Sequence, residues 1–229
     1  MSAISHVHDL VRRRTVDVHS LHGQFAELDQ QREAASLGMW VFLVTEVMFF
    51  GGMITGYVAY RSAYPEAFRL GSIHMLFMAG TLNTAILITA SLFMVLALHA
   101  AKLDNRKVLV WCLIAAMFLG ICFLSIKGYE YWDHWVEHKV PGASFQWDGP
   151  DPRHAELFFV LYFFLTGFHA LHMIIGVTAV GIIAYFANKG RYTPEYHNPV
   201  ENVALYWHFV DIVWIFLYPM LYLIGHRHL

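Results

Sequence analysis

Five long apolar stretches dominate the sequence and restrict the folds that it can adopt. Each one reaches the roughly 20 helical residues that cross the hydrocarbon core of a bilayer. Only a helix satisfies its backbone hydrogen bonds within one such segment, so the pattern predicts an all-α, polytopic membrane helix bundle with five transmembrane helices. Hydrophobic residues make up 58% of the chain and charged residues 14%, a balance typical of membrane proteins. The predicted spans are 37–60, 74–100, 108–127, 156–187 and 202–225.

The two ends of the chain differ in polarity, and the cationic residues predict the side of the membrane for each. Residues 1–35 form a polar arm with Arg12, Arg13 and Arg14 and without an apolar core before a small-residue cleavage site, so no cleaved secretory signal is expected. Residues 36–229 form the five-helix transmembrane domain. Lys and Arg are more frequent on the side of the arm. This predicts a cytoplasmic N-terminal arm and, after five spans, a C-terminus outside.

The segment 128–155 is predicted to be the long loop between the third and fourth spans. It begins with aromatic residues that suit the lipid headgroup region. It continues with Pro141-Gly142 and Gly149-Pro150, which interrupt helices. We interpret the segment as an interfacial belt followed by a turn, rather than as a binding site for a soluble partner.

Glu46 lies about ten residues inside the first predicted span. A carboxylate at that depth is costly unless it faces protein, water or a partner. Three interpretations follow: the acid belongs to a proton path, it forms a hydrogen bond to a neighbouring helix, or it is a neutral buried acid. We favour the structural hydrogen bond and keep the proton path as the main alternative.

His169 and His172 lie three residues apart in the fourth span and therefore share one helix face. Two imidazoles on one face are compatible with a metal or haem site, or with a hydrogen-bonded bridge between helices. A four-ligand metal site needs further ligands at matching depth, which Cys112 and Cys122 do not obviously supply. Haem needs only one or two axial ligands, so the spacing does not exclude it. We favour the helix bridge.

His208 and Asp211 repeat the same spacing near the start of the fifth span. They can form a hydrogen-bonded pair on one helix face. Their predicted depth is also one from which Glu46 of the first span can be reached. We therefore expect these polar residues to lie near one another.

The first span also contains residues suited to contact with lipid or with a partner helix. Gly52 and Gly56 have the spacing that allows two helices to approach closely. Trp40 of the first span and Trp207 of the fifth are the aromatic candidates for the same kind of contact.

No complete catalytic constellation is visible in the sequence. It contains no CxxCH motif for covalent haem, no glycine-rich phosphate loop and no nucleophile elbow. The basic residues are few and dispersed, so a nucleic-acid partner is not expected. The arm carries His6, His8, His19 and His22, which we interpret as part of a solvated segment rather than as a metal site.

Five sequence segments match one known family in the order in which that family has them. They are WVFLVTEVMFF at 40–50, LNT at 82–84, GYEY at 128–131, TGFHALHMIIG at 166–176 and YWHFVDIVWIFLY at 206–218. On these segments the chain resembles subunit III of the haem-copper oxidases, in the cytochrome c oxidase branch and in a five-helix form.

The resemblance implies a non-catalytic core subunit of a proton-pumping cytochrome c oxidase in aerobic respiration. It implies direct packing against subunit I, a complex with subunit II, haem and copper in those partners rather than in this chain, and bound phospholipid. It further implies support of proton uptake and of the stability of the catalytic subunit, in a bacterial inner membrane. The polar framework that it indicates comprises Glu46, His169, His172, His208 and Asp211, with Glu130 as a further candidate.

The chain departs from the resemblance at one point. Many members of the family have two further spans before those matched here, and these two spans form one wall of a lipid-holding cleft. We therefore expect a further subunit, or a partner in a respiratory supercomplex, against the first span. The alternatives are a subunit III-like component of a quinol oxidase or nitric oxide reductase, and a small haem-binding membrane cytochrome that uses His169, His172 or His208.

Overall fold

Helices make up most of the chain in the part that the computed structural model describes, which comprises residues 28–194, 196–223 and 225. Five of its helices are long and apolar enough to cross a membrane. The predicted all-α bundle with five transmembrane helices is therefore confirmed. The helices are α1 (Leu28–Ala63), α2 (Pro65–Ile73), α3 (Phe77–Lys102), α4 (Arg106–Val136), α5 (Pro152–Asn188) and α6 (Asn198–Tyr218), and α6 continues into a π-helical turn (Pro219–Leu223).

Helices α3 to α6 form the packed core of the bundle. α3 and α4 are joined by the short turn 103–105, in which Asp104 adopts a left-handed conformation with φ of 56°. The side chain of Asn105 accepts a hydrogen bond from the backbone of Val108 and so caps the start of α4. α5 packs against α4 and α6, and α6 returns to pack against α3. Trp214 and Tyr162 lie fully buried between these helices.

α1 is the least packed of the five membrane-spanning helices. Only 11% of the residues in its apolar segment are buried, against 33% to 50% in the other four. Its buried large side chains, Leu43, Phe50 and Tyr57, recur every seventh residue and so form one narrow stripe. Most of the other large apolar side chains of the helix are partly or strongly exposed.

The end of α6 is fastened to the first part of the chain by side chains that bind the carbonyl groups of the π-helical turn. The hydroxyl of Tyr57 on α1 donates to the carbonyl oxygen of Met220 at 2.8 Å. The hydroxyl of Ser72 on α2 donates to the carbonyl oxygen of Leu221 at 2.7 Å. Both carbonyl groups lie near a helix end, where partners within the helix run out.

α4 is longer than the sequence pattern predicts. The pattern ends the third span at residue 127 and assigns 128–155 to a loop, but the helix continues to Val136. Gly128 does not interrupt it, and the first proline after it is Pro141. The aromatic residues 129–135 are therefore helical. The connecting loop is restricted to 137–151, where it folds back so that Trp147 packs on Phe159 of α5.

The first part of the chain also differs from the prediction. α1 begins at Leu28, within the segment that the sequence assigns to the polar arm. The short helix α2 was not predicted; it begins at a proline in its first turn, which is a common helix start. Residues 1–27 lie outside the described residues, and with them His6, His8, His19 and His22 of the arm. The sidedness of the termini stays a prediction.

Candidate functional site

The first polar site lies where α1 meets α5, and it joins Glu46 to His172. The Nε2 atom of His172 lies 3.1 Å from Oε2 of Glu46. The Nδ1 atom of the same imidazole lies 2.7 Å from the carbonyl oxygen of Phe168, one turn earlier on α5. The Glu46 side chain is 19% exposed and that of His172 is 11% exposed. Both side chains are thus largely buried and keep a small exposed fraction.

These two contacts determine how many protons the pair holds. A carbonyl oxygen only accepts, so Nδ1 of His172 must carry a hydrogen in order to bind Phe168. A hydrogen bond between Nε2 and Glu46 then needs one further proton. That proton resides either on Glu46, beside a neutral imidazole, or on His172, beside a carboxylate. Both forms have zero net charge, which favours burial in a membrane-spanning segment.

Aromatic rings cover the buried side of this pair. Phe50, one turn after Glu46 on α1, meets the His172 ring edge to face at 5.1 Å between centroids. The Tyr206 hydroxyl on α6 donates to the backbone carbonyl of His172 at 3.0 Å. Phe42 lies 6.1 Å from the Tyr206 ring. These contacts hold α1 on the bundle at the level of Glu46.

Asp211 belongs to a second polar site, between α6 and α3. Its Oδ2 accepts a hydrogen bond from the Ser91 hydroxyl at 2.6 Å. Its Oδ1 has no hydrogen-bond partner within the described residues. The expected bond between His208 and Asp211 is not formed, because the carboxylate turns towards α3. Asp211 makes no direct hydrogen bond to Glu46 in the described part of the chain.

His169 occupies a third position, in the interior of the bundle. Its ring lies 5.2 Å from that of Trp214 and 5.6 Å from that of Phe123. Neither ring nitrogen has a hydrogen-bond partner among the described residues. The five expected residues therefore do not form one directly hydrogen-bonded network: Glu46 binds His172, and the other three lie apart from that pair.

The histidines do not combine into a metal site in the region that the structure describes. No group of three or more His, Cys, Asp or Glu side chains with metal-binding geometry occurs there. Both ring nitrogens of His172 are engaged by Phe168 and Glu46. This arrangement does not fit an axial haem ligand at His172.

The comparisons with known proteins identify the family. Residues 7–226 match the family model of Cytochrome c oxidase subunit III. The chain is 33% identical over 194 residues to cytochrome c oxidase subunit 3 of Dugong dugon, covering 81% of this chain and 67% of the relative. The Loxodonta africana protein is 32% identical over 199 residues, with 83% and 70% covered, and the Scyliorhinus canicula protein is 32% identical over 195 residues, with 81% and 67% covered. The chain belongs to the cytochrome c oxidase subunit III family.

The surface candidates of this subunit III chain divide into two groups. Trp40 is 56% exposed on α1. A Cβ atom added at Gly52 or Gly56 meets no atom within 4 Å, so both glycines lie on an open part of α1. Trp207, by contrast, is only 2% exposed and does not lie at a lipid or partner surface. The Trp207 indole packs against Gly120, which has no side chain. A Cβ atom added at Gly120 would lie 2.8 Å from the indole.

A buried ion-pair cluster in this subunit III chain was largely missed from sequence. Lys127 and Glu130 on α4 are 3% and 0% exposed, and their charged atoms lie 3.0 Å apart. The Lys127 ammonium also donates to the hydroxyls of Tyr162 on α5 and Tyr222 in the π-helical turn, at 3.1 and 2.7 Å. Both hydroxyls donate in turn to Oε1 of Glu130, at 2.9 and 2.6 Å. All three donors of the ammonium group are therefore used.

The sequence contained one signal for this cluster. Lys127 and Glu130 are three residues apart, a spacing at which opposite charges meet on a helix. Because the apolar pattern ends the third span at Lys127, it places Glu130 in a loop and does not indicate the pairing. The contributions of Tyr162 and Tyr222 come from residues far away in sequence, and no local pattern indicates them.

Proposed function

We propose that this subunit III chain is a non-catalytic core subunit of a proton-pumping cytochrome c oxidase, and that it supports proton uptake and the durability of the catalytic subunit. One observation carries the proposal: Nε2 of His172 and Oε2 of Glu46 lie 3.1 Å apart at the surface of the bundle, and both side chains are partly exposed. Such a pair can exchange its proton with water or with a neighbouring protein without leaving a buried net charge.

The open side of α1 supports a role that is directed outwards. The Glu46–His172 pair packs against the ring of Phe50 and keeps partial exposure at both side chains. Trp40, Gly52 and Gly56 lie on the same sparsely packed helix. We infer that subunit I, lipid or a further subunit meets this helix in the assembled complex. Close approach is easiest at the glycines, where no side chain intervenes.

The remaining features of the proposal concern the assembly. The chain is expected to pack directly against subunit I in a complex that also contains subunit II, with haem and copper held by those partners. Phospholipid is expected at its membrane surface. We place the N-terminus inside, because cationic residues favour the cytoplasmic side. We expect the chain to be a multi-pass protein of a bacterial inner membrane.

The decisive experiment is the substitution Glu46→Gln in the intact oxidase complex. We expect the initial rate of oxygen reduction to stay close to that of the native complex, while proton uptake slows or the number of turnovers before inactivation falls. Glu33→Gln is the matched control, because Glu33 lies on the same helix and is exposed. The control should behave as the native complex does.

Two results of this experiment would contradict the proposal. Complete loss of oxygen reduction in an assembled Glu46→Gln complex would make the pair an obligatory part of the reaction rather than a supporting one. Unchanged proton uptake together with an unchanged lifetime would remove the pair from proton chemistry altogether.

Two alternative functions have their own tests. For a component of a quinol oxidase or nitric oxide reductase, the purified complex would oxidise quinol, or reduce nitric oxide, in preference to oxidising cytochrome c. For a small haem-binding cytochrome, the isolated chain would keep a Soret absorption band through purification. The match to Cytochrome c oxidase subunit III over residues 7–226 favours the main proposal.

A further inference from the structure

Tyr206 contacts both of the helices that carry the Glu46–His172 pair, although it lies on a third. From α6, its hydroxyl donates to the backbone carbonyl of His172 on α5 at 3.0 Å. Its ring lies 6.1 Å, centroid to centroid, from the ring of Phe42 on α1. Phe42 is four residues before Glu46, which is about one turn away on the same helix face. Tyr206 therefore meets α1 and α5 at the level of the pair.

Gly176 makes room for the Tyr206 ring beside α5. It lies four residues after His172, about one turn along the same helix face. A Cβ atom added at Gly176 would lie 3.3 Å from Cε1 of Tyr206, which is closer than side chains ordinarily pack. Cε1 is bonded to the carbon that bears the hydroxyl. A glycine at position 176 therefore gives this hydroxyl close access to the backbone of α5.

The bond between Tyr206 and His172 is well supported by its surroundings. Tyr206 is only 7% exposed. A buried hydroxyl without a partner costs free energy, so the bond to the carbonyl stabilises this position of the ring. A carbonyl oxygen has two lone pairs, one for the helix and one for the hydroxyl. The hydroxyl bond therefore adds to the hydrogen bonds of α5 and does not compete with them.

The contact between Nε2 of His172 and Oε2 of Glu46 tolerates little movement of α1. Its length of 3.1 Å is close to the upper end of the usual range for N–H···O hydrogen bonds, about 3.2 Å. α1 has little other packing, since only 11% of the residues in its apolar segment are buried. Phe50 meets the His172 ring edge to face. Ring pairs occur over roughly 4.5–7 Å between centroids, so they define a distance less closely than a hydrogen bond does.

We propose that Tyr206 is a positioning residue for the Glu46–His172 pair. Its hydroxyl fixes the phenol ring against the His172 backbone, and the ring is part of the surface on which Phe42 and α1 rest. The position of this ring therefore determines the distance between the two members of the pair. The inference rests on the proposed proton-related function of the pair, but Tyr206 itself exchanges no proton.

The test compares intact oxidase complexes that carry Tyr206→Phe, Gly176→Ala or Glu46→Gln with the native complex. Tyr206→Phe removes the hydroxyl and keeps the ring, whereas Gly176→Ala keeps the hydroxyl and displaces the ring. Tyr218→Phe is the matched control, because Tyr218 lies at the end of the same helix and its hydroxyl lies 2.6 Å from that of Thr81.

Two measurements are made on each complex. Infrared difference spectra, recorded on titration with acid, show the C=O stretching band of the protonated Glu46 carboxyl group. This band is assigned by its loss in Glu46→Gln. The second measurement is the number of turnovers before inactivation, which is also determined for the double variant Glu46→Gln/Tyr206→Phe.

We expect the Glu46 band to shift to higher frequency in Tyr206→Phe and in Gly176→Ala, because its hydrogen bond to His172 is weakened. Tyr218→Phe should keep the native band and the native number of turnovers. For Tyr206→Phe, the number of turnovers should fall between the native value and that of Glu46→Gln. The double variant should match Glu46→Gln alone, because Tyr206 acts only through the pair.

A native band position in Tyr206→Phe would overturn the proposal, and Gly176→Ala decides in its place if Tyr206→Phe does not assemble. A double variant that is inactivated clearly sooner than Glu46→Gln would also overturn it, since Tyr206 would then act separately from the pair. An equal band shift in Tyr218→Phe would mean that any lost hydroxyl on α6 has this effect. The infrared band reports positioning even if Glu46→Gln leaves turnover unchanged, so it separates this inference from the proposed function.

Discussion

Two acid–base pairs lie within the membrane-spanning helices of this chain, and they differ in how completely the chain satisfies them. Lys127 and Glu130 are sealed in the bundle, and the hydroxyls of Tyr162 and Tyr222 use their remaining hydrogen-bonding capacity. Glu46 and His172 make one bond to each other and stay partly exposed. The closed pair is a part of the fold, whereas the open pair can act on its surroundings.

The difference follows from the helices that carry each pair. The closed pair lies on α4 and is reached by α5 and by the π-helical turn, so three parts of the chain surround it. The rings of Tyr131, Tyr162, Trp214 and Tyr222 also lie 5.0 to 5.4 Å from the Lys127 ammonium. The open pair depends on α1, which is buried along one stripe only. An ionisable side chain can thus be buried in two ways. Either the chain itself supplies all of its hydrogen bonds, or it shares a proton with a neighbouring group so that the pair has no net charge.

Replacing one member of the closed pair should have the largest effect on stability. Lys127→Met leaves the Glu130 carboxylate buried without its counterion, so we expect the free energy of unfolding to fall by about 3–5 kcal/mol. The double variant Lys127→Met/Glu130→Leu should recover most of this loss, because neither charge remains. Denaturant unfolding of the detergent-solubilised chain measures both. An equal loss of unfolding free energy in the single and double variants would contradict this prediction, because Lys127 and Glu130 would then not stabilise each other.

Removing one hydroxyl from the cluster should have an intermediate effect. Tyr222→Phe takes an acceptor from Lys127 and a donor from Glu130, so we expect a loss of about 1–3 kcal/mol in the free energy of unfolding. Tyr129→Phe is the control, because Tyr129 is exposed on the same part of α4. A native-like unfolding curve for Tyr222→Phe would mean that the cluster is hydrated and not closed.

The Glu46–His172 pair should be accessible to a chemical reagent and should contribute little to the free energy of unfolding. We expect Glu46→Gln to change the free energy of unfolding by about 1 kcal/mol at most, because one partly exposed hydrogen bond is altered. Dicyclohexylcarbodiimide, which modifies protonated carboxyl groups in apolar surroundings, should label Glu46 and leave Glu130 unmodified. Peptide mass spectrometry after labelling distinguishes the two sites. Labelling of Glu130 in the folded chain would contradict its closed environment.

An ion pair outside the five membrane-spanning helices provides the smallest reference effect. On α2, the Arg69 guanidinium donates to Glu66 at 2.7 and 3.1 Å, and this hydrogen bond holds the pKa of the Glu66 carboxyl below its usual value. A lowered pKa stabilises the folded chain above the unfolded-state pKa, and that contribution is lost as the pH falls through the folded-state pKa. Because both groups are solvated, Glu66→Gln should leave unfolding at neutral pH almost unchanged. A large shift in the midpoint of denaturant unfolding would contradict this.

The sequence is sufficient to predict the five membrane-spanning helices and to identify Glu46 as one member of the polar site. The five apolar stretches predict the five spans because hydrophobic length is a local property. The pairing of Glu46 with a polar residue follows from the cost of an isolated carboxylate in a membrane. The sequence did not show which residue this would be. The partner turned out to be His172, 126 residues away, and only the packing of α1 against α5 determines that choice.

The rest of the site could not be predicted, because the relevant contacts cross the bundle. Asp211 binds Ser91 on α3 rather than His208 on its own helix, although the spacing of His208 and Asp211 suits a pair. Trp207 is buried because Gly120 on another helix leaves room for it. A lysine such as Lys127 ordinarily indicates the end of a membrane span when its partners are unknown. Here its partners keep it inside the bundle.

The fastening of the π-helical turn has a consequence for the order in which the molecule is completed during synthesis. Tyr57 is made early and binds the carbonyl group of Met220, a residue 163 positions later. Ser72 likewise binds the carbonyl group of Leu221, which is made 149 positions later. α1 precedes the other four spans in the described part of the chain, yet its bond to the π-helical turn forms only after α6 has been made. A companion subunit that reaches α1 during that interval would meet the helix before this bond holds it.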